Sequence, residues 1–113
     1  MHEMAMAQEI INIVNTTLSD HPGKIATKVC VKIGEMAAVV PESLEFSYNA
    51  LIQKTNLQKS HLEIEIIPIT ASCEKCHQEF DISDFEFFCP YCHSQQIRIK
   101  SGDELYISEL EVE

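Results

Sequence analysis

The sequence is poor in glycine, in basic residues and in long apolar stretches. It contains only three glycines, so it lacks the glycine-rich loop that cradles phosphates in nucleotide-binding proteins. No apolar run approaches the roughly 18–20 residues of a membrane span. The first residues include acidic Glu3 and no basic cluster, unlike a secretory signal peptide. With no Ser/His/Asp arrangement either, these absences predict a cytoplasmic protein that is neither an enzyme nor membrane-bound.

Basic residues are scarce relative to acidic ones. Eight Lys and Arg stand against 18 Asp and Glu, which gives a net charge of −10. Residues 1–70 carry −3 of this charge and residues 71–113 carry −7. Because phosphate backbones would be repelled, nucleic acid is not an expected partner. Cations and basic protein surfaces suit this charge better.

The remaining composition is that of a folded chain. Hydrophobic residues make up 45% of the 113 residues, which fits one domain with a small satellite. The cytoplasm is reducing, so paired cysteines are more readily metal ligands than disulfides.

Periodicity predicts two helices and four strands outside the cysteine segment. Residues 4–18 place Met4, Ala7, Ile11, Val14 and Leu18 on one stripe, and Ile10 widens it. A second helix is predicted from Pro41 to about Lys54, with proline at its first position. Alternating apolar and polar residues predict strands over 25–33, 61–67, 96–100 and 104–112.

The strands carry two further signals. Lys28 and Lys32 share the outward face of the first strand, and Glu63 and Glu65 that of the second, so neighbouring strands would form ion pairs there. The last two strands are predicted to form a hairpin at Ser101–Asp103. The last strand also changes phase near Ser108, which indicates either a bulge or a strand that leaves the cysteine segment for the main sheet.

The most specific motif is a double cysteine pair. Cys73 and Cys76 form one Cys-x-x-Cys pair, and Cys89 and Cys92 form a second after twelve intervening residues. Two such knuckles supply the four thiolates of a tetrahedral zinc site. With all four positions taken by cysteine, the zinc would be structural. Three phenylalanines are expected to join Phe80 beside the metal, at positions Phe85, Phe87 and Phe88.

Histidine follows each pair, as His77 and His93. Cys-x-x-Cys-His is also the attachment motif of c-type haem, but two haems without an export signal or axial ligands are not expected. The position after a knuckle often needs a positive φ, at which histidine is tolerated. A sharper hypothesis makes both histidines pH-sensitive neighbours of the zinc, because imidazole titrates near 6.5. A pH-dependent change in zinc coordination that disappears when both are replaced by alanine would support it.

The chain begins with a second candidate metal site, Met1-His2-Glu3. The α-amine of Met1 and the amide and imidazole nitrogens of His2 can form a chelate, with the carboxylate of Glu3 beside them. Nitrogen donors in a plane suit Ni(II) or Cu(II). The predicted first helix would give this chelate a rigid mount. We therefore treat these three residues as a candidate site for Ni(II) or Cu(II).

Taken together, the features resemble the HypA/HybF nickel metallochaperones of hydrogenase maturation. The resemblance covers the whole chain. It is carried by Met1-His2-Glu3, by both cysteine pairs at their spacing, and by four segments: Val31–Glu35, Val40–Phe46, Leu62–Pro68 and the ending Ser101–Val112. Many members of that family have glycine after each pair, where this chain has His77 and His93.

The resemblance implies an α+β fold in two modules. Residues 1–70 and 101–113 would form a nickel-binding α/β domain, with a small mixed sheet and two helices on one face. Residues 71–100 would form a zinc-ribbon domain with structural Zn(II), and Ni(II) would be the cargo.

The family also implies partners. These are a HypB-type nickel GTPase, the [NiFe]-hydrogenase large subunit and, in some bacteria, urease accessory proteins. The protein itself would be a monomer or a weak homodimer. The rival interpretation is a zinc-ribbon adaptor that binds proteins and carries no cargo metal.

Overall fold

Two helices and six strands make up residues 3–113, the part of the chain that the computed structural model describes. In chain order they are α1 (Glu3–Leu18), β1 (Ala26–Gly34), α2 (Pro41–Leu51), β2 (His61–Ile67), β3 (Thr70–Cys73), β4 (Glu79–Asp81), β5 (Ile97–Ser101) and β6 (Leu105–Val112), with a short 3-10 helix at Glu35–Ala37. The strands form two three-stranded sheets, ordered β2-β1-β6 and β4-β3-β5. This confirms the α+β class with small sheets and two helices.

The described chain divides into two units. The first unit comprises the chain up to Lys32, Ala38–Glu65 and Tyr106–Glu113, and the second comprises Ile33–Ala37 and Ile66–Leu105. In residues 3–113 no helix is long and apolar enough to cross a membrane.

Helix α1 buries a stripe that differs from the predicted one. Its buried apolar residues are Ala7, Ile10 and Val14, at spacings of three and four. Met4, predicted to be inward, is 45% exposed. The sequence contains two overlapping apolar stripes, one through Ile10 and one through Ile11. In the folded chain the stripe through Ile10 is the buried one.

The sheet of the first unit has one apolar and one charged face. Val29 and Val31 of β1 are buried. On the other face the Nζ of Lys28 lies 3.6 Å from the Glu63 carboxylate, and that of Lys32 lies 3.9 Å from Glu65. The predicted ion pairs between neighbouring strands are therefore confirmed.

Helix α2 is shorter than predicted. Proline stands in its first turn and it ends at Leu51, with Ile52 as C-cap. Lys54, the predicted last residue, has φ of 62° and cannot continue a helix. Tyr48 is fully buried, and its hydroxyl lies 2.6 Å from that of Ser60 in a buried hydrogen bond.

The predicted hairpin at Ser101–Asp103 is wrong. Strand β5 pairs antiparallel with β3, whereas β6 belongs to the other sheet. The Gly102 N–H donates to the Glu104 side chain at 2.8 Å, and its carbonyl accepts from the Met36 N–H at 2.8 Å. The second of these bonds joins the segment to the 3-10 helix instead of closing a hairpin.

Glycine is required at two positions of this region, Gly34 at the end of β1 and Gly102 after β5. A Cβ on Gly34 would collide with the carbonyl of Gly102. Gly102 has φ of +111° and would place a Cβ 2.6 Å from the Cα of Ile69. Such a close approach of two backbones excludes side chains at both positions.

The second unit has a very small core. Its buried residues are Ile69, Ala71, Cys73, Phe80, Ile82 and Cys89. The expectation that Phe85, Phe87 and Phe88 pack beside the metal is wrong, because all three are exposed. Two of the six core residues are cysteines, so this unit depends on what the cysteines bind.

Candidate metal centres

The first cysteine pair closes a tight knuckle at the end of β3. The Cys73 N–H donates to the carbonyl of Gln78 at 2.9 Å, and its carbonyl accepts from the His77 N–H at 3.0 Å. The N–H groups of Lys75 and Cys76 point at the Cys73 sulfur, at 3.3 and 3.4 Å. Backbone donors aimed at a sulfur favour its thiolate form.

The second pair repeats this geometry. The Cys89 N–H donates to the carbonyl of Ser94 at 2.8 Å, and its carbonyl accepts from the His93 N–H at 2.8 Å. The Tyr91 N–H lies 3.4 Å from the Cys89 sulfur. Each pair is thus held by its own backbone in the same shape.

The two knuckles bring all four sulfurs to one point. The Sγ atoms of Cys73, Cys76, Cys89 and Cys92 lie within 4.8 Å of one another. Cys73 and Cys92 are separated by 3.6 Å, as are Cys76 and Cys89. A tetrahedral zinc with bonds of about 2.3 Å sets its sulfurs about 3.8 Å apart. The cluster therefore fits a structural zinc ion, and sulfurs gathered at one centre do not suit separate haem groups.

The thiol pKa values show why a cation belongs among these sulfurs. The backbone N–H of Cys76, aided by that of Lys75, lowers the pKa of Cys73 to about 6 although burial opposes it. At Cys76 the N–H of Gln78 lowers the pKa, but burial and the thiols of Cys89 and Cys73 outweigh it and raise the pKa to about 12. Without a metal, burial and hydrogen bonds between the thiols therefore keep a proton on Cys76. A divalent ion displaces this proton.

His77 and His93 are turn residues. Their φ angles are 64° and 63°, as the position after each knuckle predicts, and both side chains are exposed. Neither belongs to the group of converging sulfurs. Their role as pH-sensitive neighbours of the zinc stays a prediction.

Two of the three candidate nickel residues, Met1 and His2, lie outside the described residues. The third, Glu3, begins α1. Its side chain is largely buried, with 9% exposure, and its Oε2 accepts a hydrogen bond from the Val40 N–H at 3.3 Å. The carboxylate therefore joins the first turn of α1 to the residue that precedes α2.

Glu3 also lines an open groove of about 370 Å³. Its neighbours there come from α2, namely Glu42, Ser43, Phe46 and Ser47. The sequence did not single out these residues for the site. The only signal was the acidic first turn that follows Pro41, which is also an ordinary feature of helix starts.

The other cysteine and histidines remain apart from the sulfur cluster. Cys30 is half-buried in β1, where burial raises the pKa of its thiol. His21 and His61 are exposed. Within residues 3–113 the four cysteines are the only group of three or more potential ligands that converge.

Comparison with known proteins covers the whole chain. Residues 1–112 match the family model described as HypA, hydrogenase/urease nickel incorporation, metallochaperone. The chain is 34% identical over 113 residues to the hydrogenase maturation factor HypA of Acidithiobacillus ferrooxidans, covering 100% of both. It is 38% identical to that of Desulfatibacillum aliphaticivorans, covering 99% of this chain and 87% of the relative.

A solved structure shows the same fold. The solution structure of the nickel metallochaperone HypA from Helicobacter pylori superposes with a TM-score of 0.70 at 21% identity, over 98% of this chain and 97% of that one. The fold of this chain therefore has a solved example.

Proposed function

Because the chain belongs to the HypA family of hydrogenase maturation metallochaperones, whose model matches residues 1–112, we propose that it binds Ni(II) at its first residues and delivers it for maturation of a [NiFe]-hydrogenase. The observation that carries the proposal is this match along the whole chain, from Met1-His2-Glu3 to the four-cysteine centre. The family consists of maturation factors, not of enzymes.

The nickel donors in this proposal are the α-amine of Met1 and the amide and imidazole nitrogens of His2. Together they offer a largely planar nitrogen set, which suits Ni(II). The hydrogen bond between Glu3 and Val40 supports a positioning role for the Glu3 carboxylate. Donors from two adjacent residues also suit a cargo ion, because a partner can displace them from the metal one at a time.

Zinc has a different role in the proposal. Cys73, Cys76, Cys89 and Cys92 hold one structural Zn(II) that supports the fold of the second unit. The distances between sulfurs and the small core around them support this assignment. In this proposal residues 71–100 form the zinc-ribbon domain, and residues 1–70 and 101–113 together form the nickel-binding domain.

The proposed partners are those of the family. A HypB-type GTPase and the hydrogenase large subunit would exchange nickel with the protein in the cytoplasm, and urease accessory proteins would be a further destination. The net charge of −10 supports basic protein surfaces, not nucleic acid, as the sites of contact. A monomer or weak homodimer suits transient exchange.

A nickel titration at matched zinc content tests the proposal. The wild type should hold one zinc tightly and one nickel more weakly, as measured by metal analysis and calorimetry. His2→Ala, and a variant with one residue placed before Met1, should lose nickel and keep zinc. His21→Ala, which changes an exposed histidine in a loop, is the matched control and should bind nickel normally.

Two results would contradict it. Full nickel affinity in the extended protein would exclude the α-amine as a donor. A wild type that holds zinc and no nickel would favour the adaptor without cargo metal.

A further inference from the structure

An exposed aromatic loop in the second unit runs from the end of β4 into the second cysteine knuckle. Residues 83–91, here called the aromatic loop, contain four large aromatic side chains, and all four are exposed. Phe85 is 51% and Tyr91 63% exposed, and the other two are Phe87 and Phe88. Exposed aromatic side chains grouped in one short segment are typical of surfaces that bind other proteins.

The tip of the loop is held in a costly conformation. Asp84 and Phe85 have φ of 52° and 57°, and the Glu86 N–H donates to the carbonyl of Ser83 at 3.0 Å. Positive φ at both central residues is the feature of a type I′ turn, for which Asn-Gly is the favoured sequence. A bulky residue such as phenylalanine is a genuine outlier there. Backbone strain of this kind is concentrated at functional sites.

The loop is also supported from within and from its end. The rings of Phe85 and Phe87 meet edge to face, with centroids 6.1 Å apart. The ring of Phe88 lies 6.3 Å from that of His93. At the end of the loop the Tyr91 N–H donates to the Cys89 sulfur. The aromatic side chains are therefore preorganised, which lowers the conformational entropy lost on binding.

The charge around the loop restricts what can bind it. Residues 76–97 contain no Lys or Arg and four acids, which are Glu79, Asp81, Asp84 and Glu86. All four acids are exposed. A second copy of the loop or an anionic lipid surface would be repelled. Cationic side chains would be attracted twice, by the carboxylates and by the faces of the rings.

We propose that the aromatic loop docks on a partner protein at an apolar site bordered by Lys and Arg. The ring of Phe85 is the central anchor, and Asp84 and Glu86 meet the basic border. Apart from the buried Cys89, none of the residues of this loop is a proposed ligand of nickel or zinc. The loop would bring the nickel-carrying protein to its partner without using the nickel donors, which must stay free to release the ion.

The loop offers a variant that separates binding from folding. Asp84→Asn/Phe85→Gly places Asn-Gly, the favoured type I′ sequence, at the two strained positions. The turn should therefore form at least as well, while one ring and one charge are lost. Ala38→Gly is the matched control, since Ala38 also has a positive φ, of 53°, and the change removes only a methyl group.

The probes are the GTPase and the hydrogenase large subunit, so their choice rests on the proposed function. Each is titrated into the zinc-loaded, nickel-free full chain by calorimetry at two salt concentrations. At least one should bind the wild type and the Ala38→Gly control alike, more weakly at high salt. The double variant should bind that partner at least about tenfold more weakly, as expected for loss of an aromatic hot spot. Its zinc content should be unchanged and its unfolding temperature equal or higher.

The proposal is overturned if the double variant binds both probes as tightly as the wild type, or if the wild type binds neither. The nickel titration of the same proteins tells its failure from that of the proposed function. Normal nickel binding with unaltered partner affinity rejects the aromatic loop alone. Absence of nickel binding in the wild type rejects the proposed function.

Discussion

The backbone N–H of Val40 donates a hydrogen bond to the Glu3 carboxylate at 3.3 Å. This bond joins the first turn of α1 to the residue before α2, although 36 residues separate the two in the chain. Glu3 is 9% exposed, so the carboxylate is shielded from water on most sides. Its first role is to hold the first turn of α1 against the residue that precedes α2.

The first prediction concerns this bond. Glu3→Ala should lower the free energy of unfolding by about 1 kcal/mol, because it leaves a part-buried N–H without its acceptor. It should also weaken nickel binding, because the first turn of α1 would no longer be held in place beside the proposed nickel donors. Glu3→Gln retains a carbonyl acceptor and should keep most of both properties. Chemical unfolding and nickel titration measure the two effects.

Glu9→Ala removes an exposed acid from the same helix and serves as the control. Should Glu3→Gln lose nickel as completely as Glu3→Ala, the negative charge of Glu3 acts on the metal directly and the positioning role is wrong.

The second prediction is that nickel affinity rises with pH. The α-amine of Met1 must lose its proton to bind, and its ordinary pKa is about 7.7–8. The affinity should therefore increase as the pH rises to about 8, and binding should release protons. Calorimetry in buffers of different ionisation enthalpy counts these protons. An affinity that stays constant between about pH 6 and 8.5 would show that the amine is not a donor.

The third prediction is that loss of zinc unfolds the second unit selectively. Cys89→Ser removes one zinc ligand, and a strong chelator removes the zinc itself. Two of the six buried residues in the core of this unit are cysteines. Structural zinc binding is worth on the order of 10 kcal/mol in small modules, far more than so small a core supplies. Amide NMR signals of Ile66–Leu105 should lose dispersion, while those of α1 and α2 remain.

Cys30→Ser is the matched control, because this half-buried thiol lies outside the cluster. It should leave zinc content and spectra unchanged. A zinc-free protein with a fully dispersed spectrum would show that the unit folds without metal.

The fourth prediction concerns alkaline pH and the buried Tyr48. Burial raises the pKa of its hydroxyl, while the hydrogen bond to Ser60 opposes the rise. A raised pKa means that the folded state favours the protonated phenol. This stability is fully present below the unfolded pKa of about 10 and is lost as the pH rises above it.

Tyr48→Phe should therefore lower stability at neutral pH by about 1 kcal/mol through loss of the hydrogen bond. It should also abolish the part of the alkaline decline that Tyr48 causes. Urea unfolding at several pH values measures both, with Tyr106→Phe as the control, since Tyr106 is 46% exposed. Equal alkaline slopes for Tyr48→Phe and wild type would contradict the assignment.

The local elements were largely predictable. Helix α1 was predicted within one residue, and the ion pairs of Lys28 and Lys32 followed from strict alternation along two strands. The four sulfurs were predicted as one cluster because two Cys-x-x-Cys knuckles at this spacing have few other uses. Positive φ at His77 and His93 followed from the same motif.

The errors arose where partners distant in the chain decide the structure. Strands β5 and β6 were predicted as a hairpin because they are adjacent and separated by a glycine turn. In the fold β5 pairs with β3, and β6 joins the sheet of β1. The phase change near Ser108 had two explanations, and the change of unit between Leu105 and Tyr106 favours the strand that leaves the cysteine segment.

The sequence by itself predicted two candidate metal sites: nitrogen donors at Met1 and His2, and a zinc-type set of four cysteines, which the structure brings together. Donor type and local spacing are properties of short segments, so they can be read directly. Tertiary structure alone decided that Glu3 meets Val40 and that the aromatic loop faces outward. Both depend on which backbone and side-chain groups the rest of the fold leaves within reach, and no local pattern specifies that.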